Sequence, residues 1–140
     1  MFFRKHLKPF ISAALVLTLL GVVVAPLAYA KVALNTIDPT AALSDKGRRI
    51  VVTGPIQTDV VERIYLRVTM TQRTTGAVAE GIAILRGTGD LQHWEVQAKA
   101  RGKASFEPGA ATAVAIGVTG DPGHTTDAHQ WLVNITLVNP

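Results

Sequence analysis

Hydrophobic and polar residues alternate strictly from Arg63 to Thr71. Ile64, Leu66, Val68 and Met70 fall on one side; Arg63, Tyr65, Arg67, Thr69 and Thr71 fall on the other. A two-residue period is the mark of a strand with one buried face. The same period sets Trp94, Val96 and Ala98 against His93, Glu95, Gln97 and Lys99. Near the C-terminus it places Trp131, Val133, Ile135 and Leu137 together within a strand from His129 to Val138. Ala77 to Arg86 reads as a strand interrupted by Gly81, a residue that marks a bulge or a close backbone approach. Ala111 to Val118 reads as a strand of small residues, and Arg49 to Thr53 as a short β-branched one ended by Gly54-Pro55.

Turn signals punctuate these runs. They are Ser44-Asp45-Lys46-Gly47, Thr74-Thr75-Gly76, Gly87-Thr88-Gly89-Asp90 and Pro108-Gly109. Gly102 to Gly109 reads as a loop with Phe106 as its buried point, and Gly120 to Ala128 as a polar loop. No segment after residue 47 sustains helical spacing. About seven short strands at this spacing predict an all-β domain, an immunoglobulin-like antiparallel β-sandwich with Trp94 and Trp131 between its sheets. No cysteine is present, so the disulfide of antibody domains is absent and the likeness is architectural.

The first thirty residues follow a different rule. Arg4, Lys5 and Lys8 precede an uncharged run from Pro9 to Ala30, which closes on Ala28-Tyr29-Ala30. Basic start, apolar centre and small-x-small site together predict a signal peptide with a helical core. The run is also long enough for an uncleaved membrane anchor. Pro26, breaking the helix just ahead of the Ala-Tyr-Ala site, favours cleavage before Lys31. The expected organisation is a leader over 1–30, a lead-in segment over 31–47 and the sandwich over 48–140. Either fate of the leader puts the domain outside the cytoplasm.

The leader changes the meaning of the charge. The chain holds 14 Lys+Arg and 10 Asp+Glu. Without Arg4, Lys5 and Lys8, 11 basic residues face the same 10 acidic ones, a net charge of +1. A nucleic-acid partner loses its electrostatic basis. The lack of cysteine excludes thiol catalysis, Cys-ligated zinc and iron–sulfur chemistry.

Three polar groups remain as candidates. His124, Asp127 and His129 carry imidazole and carboxylate ligands that suit a divalent metal, if one loop gathers them. His93 joins them only if strand order allows. Arg63, Tyr65 and Arg67, with Arg73 beyond, share the outward side of the clearest strand and could bind an anionic wall polymer or stack on a sugar. The competing reading pairs these arginines with Glu80 or Glu95 across strands. Lys99, Arg101 and Lys103 form a third, looser basic group.

No catalytic constellation is legible. Ser44 and Ser105, the only serines after the leader, sit in no nucleophile elbow, and no phosphate-binding glycine loop precedes a helix. Gln72 to Gly81, Phe106-Glu107-Pro108-Gly109 and Thr126 to Trp131 resemble stretches of small exported bacterial β-sandwich proteins of uncharacterised function. The resemblance implies a small secreted β-domain, without an activity or site residues. The function expected is therefore an exported, non-enzymatic module that binds or scaffolds at the cell envelope or outside the cell. A cell-wall polymer or another envelope protein is the expected partner. An extracytoplasmic metal-binding protein and a membrane-tethered envelope protein are the alternatives.

Overall fold

A computed structural model of the chain describes residues 36–58 and 61–140, together with the backbone of Val32–Ala33. The signal helix expected over the first thirty residues lies outside the described residues. Eight strands follow in order: β1 (Val32–Ala33), β2 (Thr40–Ser44), β3 (Arg49–Thr58), β4 (Arg63–Gln72), β5 (Ala77–Arg86), β6 (Leu91–Arg101), β7 (Gly109–Asp121) and β8 (His124–Val138). The all-β expectation holds, and the alternation in β4, β6 and the lower half of β8 faces the core as read.

The sandwich expectation does not hold. Seven strands close into a barrel, running β2–β3–β6–β5–β4–β7–β8 and back to β2. Two short joints make the closure. Thr40, Ala41 and Ala42 of β2 pair in parallel with Thr136, Leu137 and Val138 of β8. Val78, Ala79 and Glu80 of β5 pair with Arg101, Ala100 and Lys99 of β6. Both joints lie at the same end, here the lower one. The segment read as a lead-in supplies one of them: β2 lies within 31–47, and its Ala41 and Leu43 are buried in the core. A backbone joint of three residues leaves no side-chain signature, which is why periodicity misses it.

Three strands, β3, β7 and β8, also run further than their sequence suggests. β3 continues through Gly54-Pro55 because both residues fit their places. Gly54 lies opposite Trp94, and a Cβ there would stand 2.7 Å from the indole Cζ2. Thr53 O accepts from Asp38 N, so Pro55, two residues on, turns its missing N–H to that side and away from β6. The expected loop over 120–128 is mostly strand. β7 and β8 form a long hairpin whose turn is Pro122-Gly123, with Asp121 opposite His124 and a register shift at Thr119/Gly120.

The barrel interior is filled rather than open. Ile50, Val52, Ile56, Ile64, Leu66, Val68, Met70, Trp94 and Val96 are fully or almost fully buried, and β7 turns Ala111, Ala113 and Ala115 inward beside them. Phe106 closes the lower end. Its loop is tied down by Arg48, whose guanidinium donates to the carbonyls of Ala104 and Gly102 at 2.8 Å. Gly47 is required beneath it, with φ +79° and a Cβ position only 2.1 Å from Phe106 O.

Gln72 ties the other side of that loop. It is buried, donates to Glu107 O at 2.8 Å and Ala110 O at 3.3 Å, and accepts from Glu107 N at 2.9 Å and Thr75 Oγ1 at 3.0 Å. Gln72→Leu removes all four of these hydrogen bonds at once. It should destabilise the fold by about 2 kcal/mol, read from the urea midpoint. An unchanged midpoint would mean that the loop finds other partners.

Candidate functional site

The outer surface of the barrel has two unlike halves. On β3 and β6 the outward residues are mostly polar, among them Arg49, Thr53, Gln57, His93, Glu95, Gln97 and Lys99, with Val51, Pro55 and the exposed Leu91 beside them. On β5, β4, β7 and β8 they form adjoining rows. One row runs Ile84, Tyr65, Val118, Ala128, and the next Ile82, Arg67, Ile116, Gln130. A third runs Glu80, Thr69, Val114, Leu132. Ile82 and Ile84 are each 55 % exposed, Ile116 38 % and Leu132 62 %. The rows therefore make a largely apolar band over β5, β7 and β8, crossed on β4 by Tyr65, Arg67 and Thr69 and including Glu80 and Gln130. Aliphatic groups of this size gathered on one face mark a contact surface, whereas single exposed ones need no explanation. The band does not encircle the barrel, as the lipid-facing belt of a membrane barrel does.

The cation candidates divide around this band. Arg67 is held by Glu80, which also takes Arg101 at 2.6 Å. The cross-strand pairing considered as an alternative thus accounts for Arg67 and for Arg101 of the third group. Tyr65 lies between Ile84 and Val118 as part of the band. Arg63 stands directly opposite Arg86 at the upper rim. Among the described residues neither arginine has a carboxylate within ion-pair distance. Like charges in register repel, and the carboxylates of Glu62 and Asp121, which border the same cleft, lie near enough to offset part of that repulsion.

Two small clefts flank Arg63. One, of about 230 Å³, is bordered by Glu62, Arg86, Asp121, His124 and Thr126. The other, of about 280 Å³, is bordered by Tyr65, Val118, Pro122 and Thr125. Within the first, Thr126 Oγ1 donates to Glu62 Oε2 at 2.5 Å and lies 3.0 Å from Thr119 Oγ1. These contacts fasten the β7–β8 hairpin to the start of β4.

The metal candidates are distributed along β8. His124 stands opposite Asp121 at the turn, Asp127 opposite Thr119, and His129 opposite Gly117. Among the described residues no three His, Asp or Glu side chains are grouped as the ligands of one ion would be. The loop that was to gather them is an extended strand, in which residues three and five apart are carried away from one another. His129 instead sits beside Trp131, ring centroids 5.6 Å apart and tilted by 41°. Trp131 in turn lies over Gly117, whose Cβ position is 3.3 Å from the indole. His93 is on the polar half, opposite Pro55.

The apolar band escapes a sequence reading because β5 and β7 are apolar on both sides. Ala113, Ala115 and Gly117 face in, while Val114, Ile116 and Val118 face out. The only signal is that the larger member of each pair alternates with Ala or Gly. The chain matches no protein family, and no curated protein resembles it in sequence.

Proposed function

We propose that this protein is an exported, non-enzymatic binding module that docks through the outer face of β5, β4, β7 and β8. Its partner is a surface at the cell envelope or outside the cell, apolar at its centre and acidic at the position of Arg63 and Arg86. The observation that carries this reading is the exposure of Ile82, Ile84, Ile116 and Leu132 on contiguous rows, against a mostly polar surface on β3 and β6 where Leu91 is the one large exposed aliphatic among the described residues. Desolvating such a band on association supplies roughly 25 cal/mol for each Å² of apolar surface covered. The arginine pair lies at the rim of the same face, and among the described residues neither arginine has a carboxylate within ion-pair distance. Export is supported by the order of residues in the first thirty positions.

One experiment addresses both parts. A photo-reactive amino acid is placed at Ile84 or, on the opposite half, at Gln97, and the full chain is expressed in an exporting bacterial host. Ile84 is expected to give defined adducts that are lost in an Arg63→Glu/Arg86→Glu background. Gln97 is expected to give none of them. Equal labelling from both positions would remove the docking face. Intact mass of the exported product reads the leader: a start at Lys31 means a free module, and a retained Met1 means a tethered one.

A further inference from the structure

We infer that two copies of this chain exchange their N-terminal segment, residues 36–44 of each completing the barrel of the other. This goes beyond the docking face and does not depend on it. The segment is an arm laid along the barrel wall. β2 pairs with β3 at Ala42–Val51, Leu43–Ile50 and Ser44–Arg49, and with β8 at three further positions. Ahead of β2, Asp38 N donates to Thr53 O at 2.9 Å and Thr53 Oγ1 donates to Asp38 Oδ2 at 2.6 Å. Thr136 N donates to Pro39 O at 2.9 Å. Each of these bonds joins the arm to the rest of the barrel, so the arm of a second copy makes the same set.

The turn behind the arm favours the exchange. Asp45 and Lys46 have φ of +51° and +55°, and among the described residues they are the only non-glycine residues with positive φ. The β4–β5, β5–β6 and β7–β8 turns instead place Gly76, Gly89 and Gly123 at their left-handed positions. A lysine pays for that conformation, because its Cβ crowds the following carbonyl. Straightening the turn, so that β2 runs on into β3, removes the strain. A short strained hinge of this kind invites exchange. The straightened turn gives up one backbone bond, Arg48 N to Asp45 O.

The vacated place selects its occupant. Ile37, Ala41 and Leu43 are buried in the core, and a barrel without them opens the seam between β3 and β8. An identical arm refills that space and returns Asp38 to Thr53. Continuing the β2–β3 register past Ser44–Arg49 sets Asp45 opposite Arg48 of the second copy, and Lys46 opposite its Gly47. Opposite charges therefore meet where the two chains cross.

The absence of cysteine makes the exchange directly testable. Thr53 turns its C=O to the arm, so Val51, two residues back, does the same. Ala42–Val51 is then a hydrogen-bonded pair with Cα atoms about 5.5 Å apart, within disulfide range. Ala42→Cys/Val51→Cys is made in the full chain, purified as the cell processes it and mildly oxidised. The two thiols are expected to join different chains and give a covalent dimer on a denaturing gel. Without exchange they close a loop within one chain, which consumes them and leaves a monomer. Light scattering of the unaltered chain is expected to find a dimer. Lys46→Gly lifts the left-handed cost in both copies and should weaken dimerisation at least about tenfold. Lys46→Val raises that cost and should strengthen dimerisation, with the circular dichroism of both variants unchanged. The inference is overturned if the thiols are consumed within single chains, or if the unaltered chain scatters as a monomer. It is equally overturned if dimerisation is indifferent to both hinge variants, which would assign the dimer to another surface. The hinge variants decide by themselves where the cysteine pair fails to oxidise.

Discussion

Replacing Phe106 with alanine is expected to cost about 3–5 kcal/mol, enough to bring a domain of ordinary stability close to unfolding. Phe106 is almost wholly buried although it sits in a loop, and it closes the lower end of the barrel. The size of the effect depends on whether the neighbours can collapse into the space left behind. Here they are held. Phe106 N donates to Gly47 O at 2.9 Å, Arg48 grips the carbonyls of Ala104 and Gly102, and Gln72 grips Glu107. The loop backbone should therefore stay in place around an empty space. Urea unfolding is the measurement, with a lower midpoint and an unchanged slope expected. Phe106→Leu keeps most of the volume and should lose less than about 1.5 kcal/mol. A loss below 1 kcal/mol for the alanine variant, roughly that of an ordinary surface change, would show that the loop is not part of the core.

Gly81→Ala is expected to cost about 3 kcal/mol and to open the barrel at one joint. The added Cβ would lie 2.4 Å from Gln97 O and 2.7 Å from Val96 Cγ1. The nearer atom belongs to backbone, so a side-chain rotation cannot relieve the clash. Gly81 directly follows the three β5 residues that pair with β6. Moving the strands apart at this point strains Glu80–Lys99 first, then Ala79–Ala100 and Val78–Arg101. Hydrogen exchange should show the amides of 99–101 losing protection while the β4–β7 ladder keeps it, since that ladder has eight paired positions, of which Val68 stands opposite Gly81, and the clash is directed at β6. Uniform loss of protection across both ladders would instead mean that the barrel opens only as a whole.

Gly81 also shows how far residue type alone carries. A glycine inside a strand pattern signals a bulge or a close approach, and the approach is what occurs. What it approaches is β6, and that contact decides between an open sandwich and a closed barrel. The candidate site divides in the same way. Tyr65 and Arg63 were legible as outward residues because β4 alternates between large apolar and polar side chains. Arg67 was legible too, but its pairing with Glu80 depends on β5 lying beside β4 in one register. The histidine and aspartate set was plausible only while residues 120–128 were a loop. Thr125 and Thr126 extend the strand through that region, and the set is drawn out along β8.

By itself, the amino-acid sequence determined most of the strands, though not β2 or the upper part of β8, together with the inward residues on β4, β6 and the lower half of β8, the buried Phe106 and the lack of any disulfide. These are local properties: a period of two, a turn residue, an absent cysteine. Only the tertiary structure decided the closure, because it rests on backbone hydrogen bonds between Thr40–Ala42 and Thr136–Val138, and between Val78–Glu80 and Lys99–Arg101. Any side chain can sit on such a bond, so no side chain announces it. The tertiary structure also decided which apolar side of β5 and β7 is left in water. A narrow interior already filled by Leu66, Met70 and Trp94 has room for alanine and glycine from β7, and it sends Val114, Ile116 and Val118 outward.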